Sequence, residues 1–188
     1  MDKKEKLRKW LWLGLDETTA KKYQRKLSAE NVRIIRNESV IIAGIGALYT
    51  ICMLVLSHVY VKSLVCIIGA AWMFCIFLYT HSLLKKQDEI SKQETYASIG
   101  SFMICAYAVS IYVGTIGAGN ELAVTIVSLF VFLPTNFDLL PIYNLHITIV
   151  ALAMFFVSSY ITKTPDKFMY DVMDGILAAV IGNFAAFE

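Results

Sequence analysis

The stretch 31–56, NVRIIRNESVIIAGIGALYTICMLVL, constrains this chain most. It opens with Arg33 and Arg36 in a charged, helix-favouring run, and from Val40 it carries no charge until Lys62. A bilayer core of roughly 30 Å needs about 20 such residues in a helix. Only helices and closed barrels satisfy their backbone groups in lipid, so the stretch predicts a membrane helix. The arginines mark the side from which it departs. Composition agrees: 57% of the 188 residues are hydrophobic and the mean hydropathy is +0.61. Soluble domains average about 45–50% apolar on a count that includes Gly.

The apolar blocks predict six spans, at about 39–60, 63–84, 97–117, 122–134, 142–162 and 172–187. The expected fold is therefore all-α, a polytopic membrane bundle. A basic helical leader, residues 1–37, precedes a six-span region, residues 38–188. Tyr60 to Lys62 form the expected tight turn between the first two spans, and Lys62 can snorkel to the headgroups. Polar loops are expected at 85–95 and at 163–171, KTPDKFMYD, with a glycine-rich turn GTIGAGN at 114–120. Pro134 and Pro141 bracket TNFDLL, a turn whose Phe and Leu suit the interface.

Orientation follows from charge. Eleven of the 17 Lys and Arg residues lie in the leader, from Lys3 to Arg36. With six spans, Lys85, Lys86 and Lys92 fall on the same side as the leader, and Lys62, Lys163 and Lys167 on the other. The positive-inside rule then places both termini in the cytoplasm.

The first 15 residues, MDKKEKLRKWLWLGL, interleave basic residues with Trp10, Trp12 and leucines. Such a segment suits a headgroup surface with anionic lipid; a short helix packed on a soluble partner fits equally well. Because the leader is tied to a membrane, anionic lipid is a nearer partner than nucleic acid. Asp16 or Thr18 can cap the next helix, along which Tyr23, Leu27 and Ile34 form a sparse apolar stripe. No Pro or Gly lies between Thr18 and Ala43, so this helix can run straight into the first span.

Chemistry is sparse. Cys52, Cys66, Cys75 and Cys105 sit in apolar stretches without metal-ligand spacing and read as embedded thiols. His58, His81 and His146 share no metal spacing, and His146 reads as a partnered polar residue within the bundle. No nucleophile elbow, phosphate loop or H-E-x-x-H pattern is present. No catalytic, cofactor or metal-binding residue is therefore assigned. Charges at membrane depth are functional candidates by default. Glu121 and Asp138 lie near the interface and read first as solvated loop positions. Asp171 and Asp174, three apart, share a helix face at the expected start of span six, where the positive helix end favours carboxylates. A ligand or cation site is the sharper reading of the same pair. Ala43 with Ala47, Gly175 with Ala179, and Ala178 with Gly182 have the spacing for close helix packing.

Several segments coincide in a resemblance. LGLDETTAKKYQRKLSAENVRIIRNES, FLPTNFDLLPIYNLHI and KTPDKFMYDVMDGILAAVIGN are similar to the membrane regions of bacterial GGDEF (diguanylate cyclase) signalling proteins. In those proteins a short helix precedes six spans and a cytoplasmic cyclase domain follows. No GGDEF motif occurs here, so cyclase activity does not carry over. The resemblance implies either the sensory and anchoring part of an inner-membrane signalling protein or a truncated relative of one. It would tune a cytoplasmic output domain through the geometry of a homodimer, with span six feeding that domain. The alternative is a small six-span transporter or channel-like protein. Its polar path would be lined by Glu121, Asp138, His146, Asp171 and Asp174.

Overall fold

A computed structural model describes residues 17–57, 60–86, 90–137 and 141–186. Among these residues the regular structure is helical throughout, with no strand. The elements are α1 (Glu17–Cys52, followed by a π-helical turn Met53–Ser57), α2 (Tyr60–Lys85), α3 (Lys92–Gly114), α4 (Val124–Asn136), α5 (Pro141–Thr162) and α6 (Pro165–Ala185). Five stretches are long and apolar enough to cross a bilayer: Ser28–Val55, Tyr60–Lys85, Gln93–Gly114, Tyr143–Thr162 and Pro165–Ala185. The fourth expected span is different. α4 has 13 residues, which at a rise of 1.5 Å reach only about 20 Å. The expected interfacial segment at residues 1–15, His58 and Asp138 lie outside the described residues.

The expected passage of the leader into the first span appears as one helix. α1 is 36 residues long and does not break between Arg33 and Val40, a length of about 54 Å. Its buried positions, Val32, Ile35, Ser39, Ala43 and Thr50, recur at helical spacing, while Val40, Ile41, Ile45, Leu48 and Ile51 are exposed. That division suits a helix with one packed stripe and a lipid-facing remainder.

The chain divides into two compact units, residues 24–109 and residues 110–188 with the start of the chain. In the first unit Gly46, not the expected Ala43–Ala47 pair, makes the close approach. A Cβ at Gly46 would lie 3.3 Å from that of Ala70, and Ala47 is exposed. Cys105 Sγ reaches the Gly69 carbonyl at 3.6 Å, and the Trp72 indole donates to Ser101 Oγ at 3.0 Å. α2 begins at Tyr60, so Tyr60 to Lys62 are its first turn rather than a loop.

α3 starts at Lys92, five residues before the expected span. The reason is local. Ser91 Oγ accepts from the Glu94 N–H at 3.1 Å, and Glu94 Oε2 accepts from the Ser91 N–H at 2.9 Å. This reciprocal capping box satisfies two helix-end donors and extends the helix into the polar loop. Lys86 also reaches Glu94, at 3.4 Å on the exposed surface. Replacing Ser91 with Ala is expected to lower stability by about 1 kcal/mol, and Lys86→Ala by at most a few tenths of a kcal/mol. Thermal unfolding of the two variants in detergent micelles checks the difference.

In the second unit α6 packs on α4 and α5. Ala123 meets Asp171 and Phe130–Val131 meet Gly182, so α4 and α6 run parallel. α5 runs antiparallel to α6, since Ser159 meets Asp171 while Thr148 meets Asn183. Phe130 and Phe155 fill the centre with ring centroids 6.0 Å apart. The expected small-residue face on α6 is present: Gly175, Ala178, Ala179 and Gly182 are all buried.

Gly182 shows why the face must be small. A Cβ there would collide with the Phe130 carbonyl oxygen and come within 2.8 Å of Val131 Cα. Pro134 has no N–H to donate to the carbonyl four residues before it. That carbonyl instead meets the bare Cα of Gly182, a contact available only to glycine. Gly182→Ala is expected to cost about 1–3 kcal/mol by forcing α6 off α4. Ala178→Gly, on the same face, should cost about 1 kcal/mol or less through helix propensity. Chemical denaturation of the micelle-bound protein checks the ranking.

Candidate functional site

The site is built where α3 ends, α4 and α6 begin and α5 ends. α6 starts at Pro165, seven residues before the expected span, because Thr164 is extended (φ −66°, ψ 153°) and Pro165 takes the first helical position. There its fixed φ fits and its missing N–H is not needed. Asp171 is therefore nearly two turns inside α6, not in its first turn. The helix-end explanation for the Asp171–Asp174 pair does not hold; Asp166 is the acidic residue of that first turn. Nor do the two carboxylates act together. Asp171 is 1% exposed, whereas Asp174 faces outward.

Three groups converge on the Asp171 carboxylate. Ser159 Oγ donates to Oδ2 at 2.6 Å, the Ala123 backbone N–H donates to Oδ1 at 3.1 Å, and Lys163 Nζ lies 2.6 Å from Oδ2. The Lys163 side chain has no solvent exposure. Its contact with Asp171 is one of charge without a directed hydrogen bond, and Nζ has no other acceptor among the described residues. Lys163 was expected as a loop cation counted toward topology. It is instead the buried counter-charge of Asp171.

The turn joining α3 to α4 explains why such a cluster exists. From Thr115 to Ala123 the backbone leaves the helix, and Gly119 adopts φ +63°, which glycine takes without penalty. Asn120 Oδ1 accepts from the backbone N–H and hydroxyl of Thr164 at 3.0 and 3.1 Å. The turn thus caps the start of α6, and Asp171 of α6 in return takes the N–H of Ala123, the residue preceding α4. Thr115 Oγ1 donates to the Ile111 carbonyl and meets Ser158 Oγ, each at 2.6 Å. Irregular backbone is tolerated in a membrane protein only where protein groups or water satisfy it. Here two helix starts and one turn satisfy each other.

The remaining candidates do not join this cluster. Glu121 is exposed in the turn, and His146 lies on the exposed side of α5 rather than within the bundle. His81 is exposed and stacks on Phe77 with centroids 5.9 Å apart. All four cysteines are free; Cys66 and Cys105 are buried, Cys52 and Cys75 exposed. Among the described residues no group of three His, Cys, Asp or Glu side chains is placed to hold a metal. Sequence reasoning missed Lys163, Ser159 and Asn120. The one available signal was the spacing of Asp171 to Gly175, Ala178 and Gly182, which puts Asp171 on the packed stripe.

Removing one partner of a buried ion pair leaves the other charge uncompensated, at a cost of about 3–5 kcal/mol. Lys163→Met should therefore be strongly destabilising. Lys163→Met combined with Asp171→Asn should recover most of the loss, because the neutral amide's oxygen still accepts from the Ala123 N–H while its NH2 donates to the Ser159 hydroxyl oxygen, which turns its own proton away. A double-mutant cycle by denaturant unfolding measures the coupling. No known family, curated protein or solved structure matches this chain.

Proposed function

We propose that this chain is the sensory and anchoring membrane module of a bacterial signalling protein and performs no catalysis itself. It sits in the inner membrane as six spans, α4 with its capped turn serving as the fourth, and both termini are cytoplasmic. Anionic lipid holds the basic leader, a homodimer is its assembly, and the output is a cytoplasmic diguanylate cyclase domain or an equivalent partner. The observation that carries this reading is α1. One unbroken helix joins the charged segment that starts at Glu17 to the first span, so a shift of that span reaches the water side without a flexible joint. Supporting it, Tyr160 and Phe168 meet edge to face near the α5–α6 turn, with ring centroids 5.4 Å apart. Aromatic side chains of this kind mark a headgroup boundary.

The transporter reading draws on the buried Lys163–Asp171 pair, since ionisable groups at depth mark ion pathways in many membrane proteins. Yet Glu121, His146 and Asp174 are exposed, so Asp171 alone of the described candidates lies inside. Fusing a diguanylate cyclase domain after Glu188 and measuring cyclic dinucleotide formation tests the sensory reading. Insertion of one to four alanines between Arg36 and Ser39 should change output with helical periodicity. Output that is identical when residues 38–188 are replaced by an unrelated span would overturn it.

A further inference from the structure

A second polar cluster lies in the same unit, around the far end of α4. Asn144, 1% exposed, donates Nδ2 to the Pro134 carbonyl at 3.3 Å. Asn183, 7% exposed, donates Nδ2 to the Ala179 carbonyl at 2.9 Å and to Thr148 Oγ1 at 3.2 Å. The Oδ1 atoms of both asparagines are buried and accept nothing among the described residues. Their orientation is determined by chemistry, since turning either amide over would set its oxygen against a backbone carbonyl. Each buried acceptor left unmatched forfeits the hydrogen bonds it had to water in the unfolded chain. Asn144 and Thr148 are one turn apart on α5, and Thr148 touches Asn183, so the fold keeps two such acceptors in one neighbourhood.

The negative ends of α4 and α6 meet the positive start of α5 in this neighbourhood. α4 ends at Asn136, and the Pro134 carbonyl is among its last four, which carry the negative end of the helix dipole. The oxygens these residues offer are an amide from each asparagine, a hydroxyl and a backbone carbonyl. They are hard donors, which suit an alkali or alkaline-earth cation. The set contains no carboxylate to offset the dehydration of a divalent ion. Helix-end carbonyls serve as ligands for such ions in membrane bundles. We propose that Asn144, Thr148, Asn183 and the Pro134 carbonyl form a binding site for a dehydrated monovalent metal cation, Na+ or K+. The site stands independently of the sensory reading.

The full chain in detergent micelles, melted in NaCl, KCl or choline chloride at equal ionic strength, tests this. A saturable rise of Tm in Na+ or K+ over choline is expected. Asn144→Leu and Asn183→Leu should abolish the rise, while Ser91→Ala, in the other unit, should keep it. Thr148→Val guards against a leucine variant that does not fold. It keeps the side chain's volume, removes one ligand oxygen and should weaken alkali-ion binding by about tenfold, equivalent to 1.4 kcal/mol. Equal Tm in all three salts, as a bound water would give, overturns the site. So does a cation response that Thr148→Val leaves unchanged.

Discussion

The Asp171 carboxylate is the group on which the second unit depends. It is a buried charge, and such a charge is tolerated only when paired and hydrogen-bonded. Lys163 supplies the countercharge, and Ser159 and the Ala123 N–H supply the bonds. These partners come from the end of α5 and the approach to α4, while the carboxylate belongs to α6. One side chain therefore sets the relative depth of three helices. The same bond completes the start of α4, a helix too short to cross a bilayer alone.

Away from that charge, the unit is held by shape. Gly175 lets α6 pass the rings of Phe155 and Phe156, which a Cβ would approach to 3.1 and 3.2 Å. Gly182 lets the backbone of α4 come closer still. In lipid the hydrophobic drive between helices is weak, so close approach and interhelical hydrogen bonds carry association. The two kinds of contact are divided along α6. Polar bonds hold its start, small residues its middle, and the Asn183–Thr148 bond its last described turn.

The proposed sensory role would draw on this arrangement. A cluster satisfied by reciprocal capping has few intermediate states, because breaking one bond exposes a buried charge or a helix-end donor. Elements of that kind respond in steps rather than continuously. α1, in contrast, has no Pro or Gly before Gly44 to absorb a bend.

The apolar runs by themselves determined the helical class and the approximate places of the crossing segments, because span length follows from bilayer thickness. The absence of helix breakers from Thr18 to Ala43 likewise determined that α1 could be continuous. The spacing of Gly175, Ala178, Ala179 and Gly182 marked the packed face of α6. Helix starts were less legible. α3 begins at a capping box and α6 at a Thr-Pro step, both inside stretches whose polarity read as loop. The burial of Lys163 was decided only in the tertiary structure. Its partner Asp171 is eight residues on, across a turn whose geometry depends on Asn120, 44 residues away. Hydropathy records the average preference of a residue for water, whereas pairing depends on which helices meet and at what depth. The sequence determined helices long and apolar enough to cross a membrane; the contacts among α4, α5 and α6 decided which of its charges would be buried.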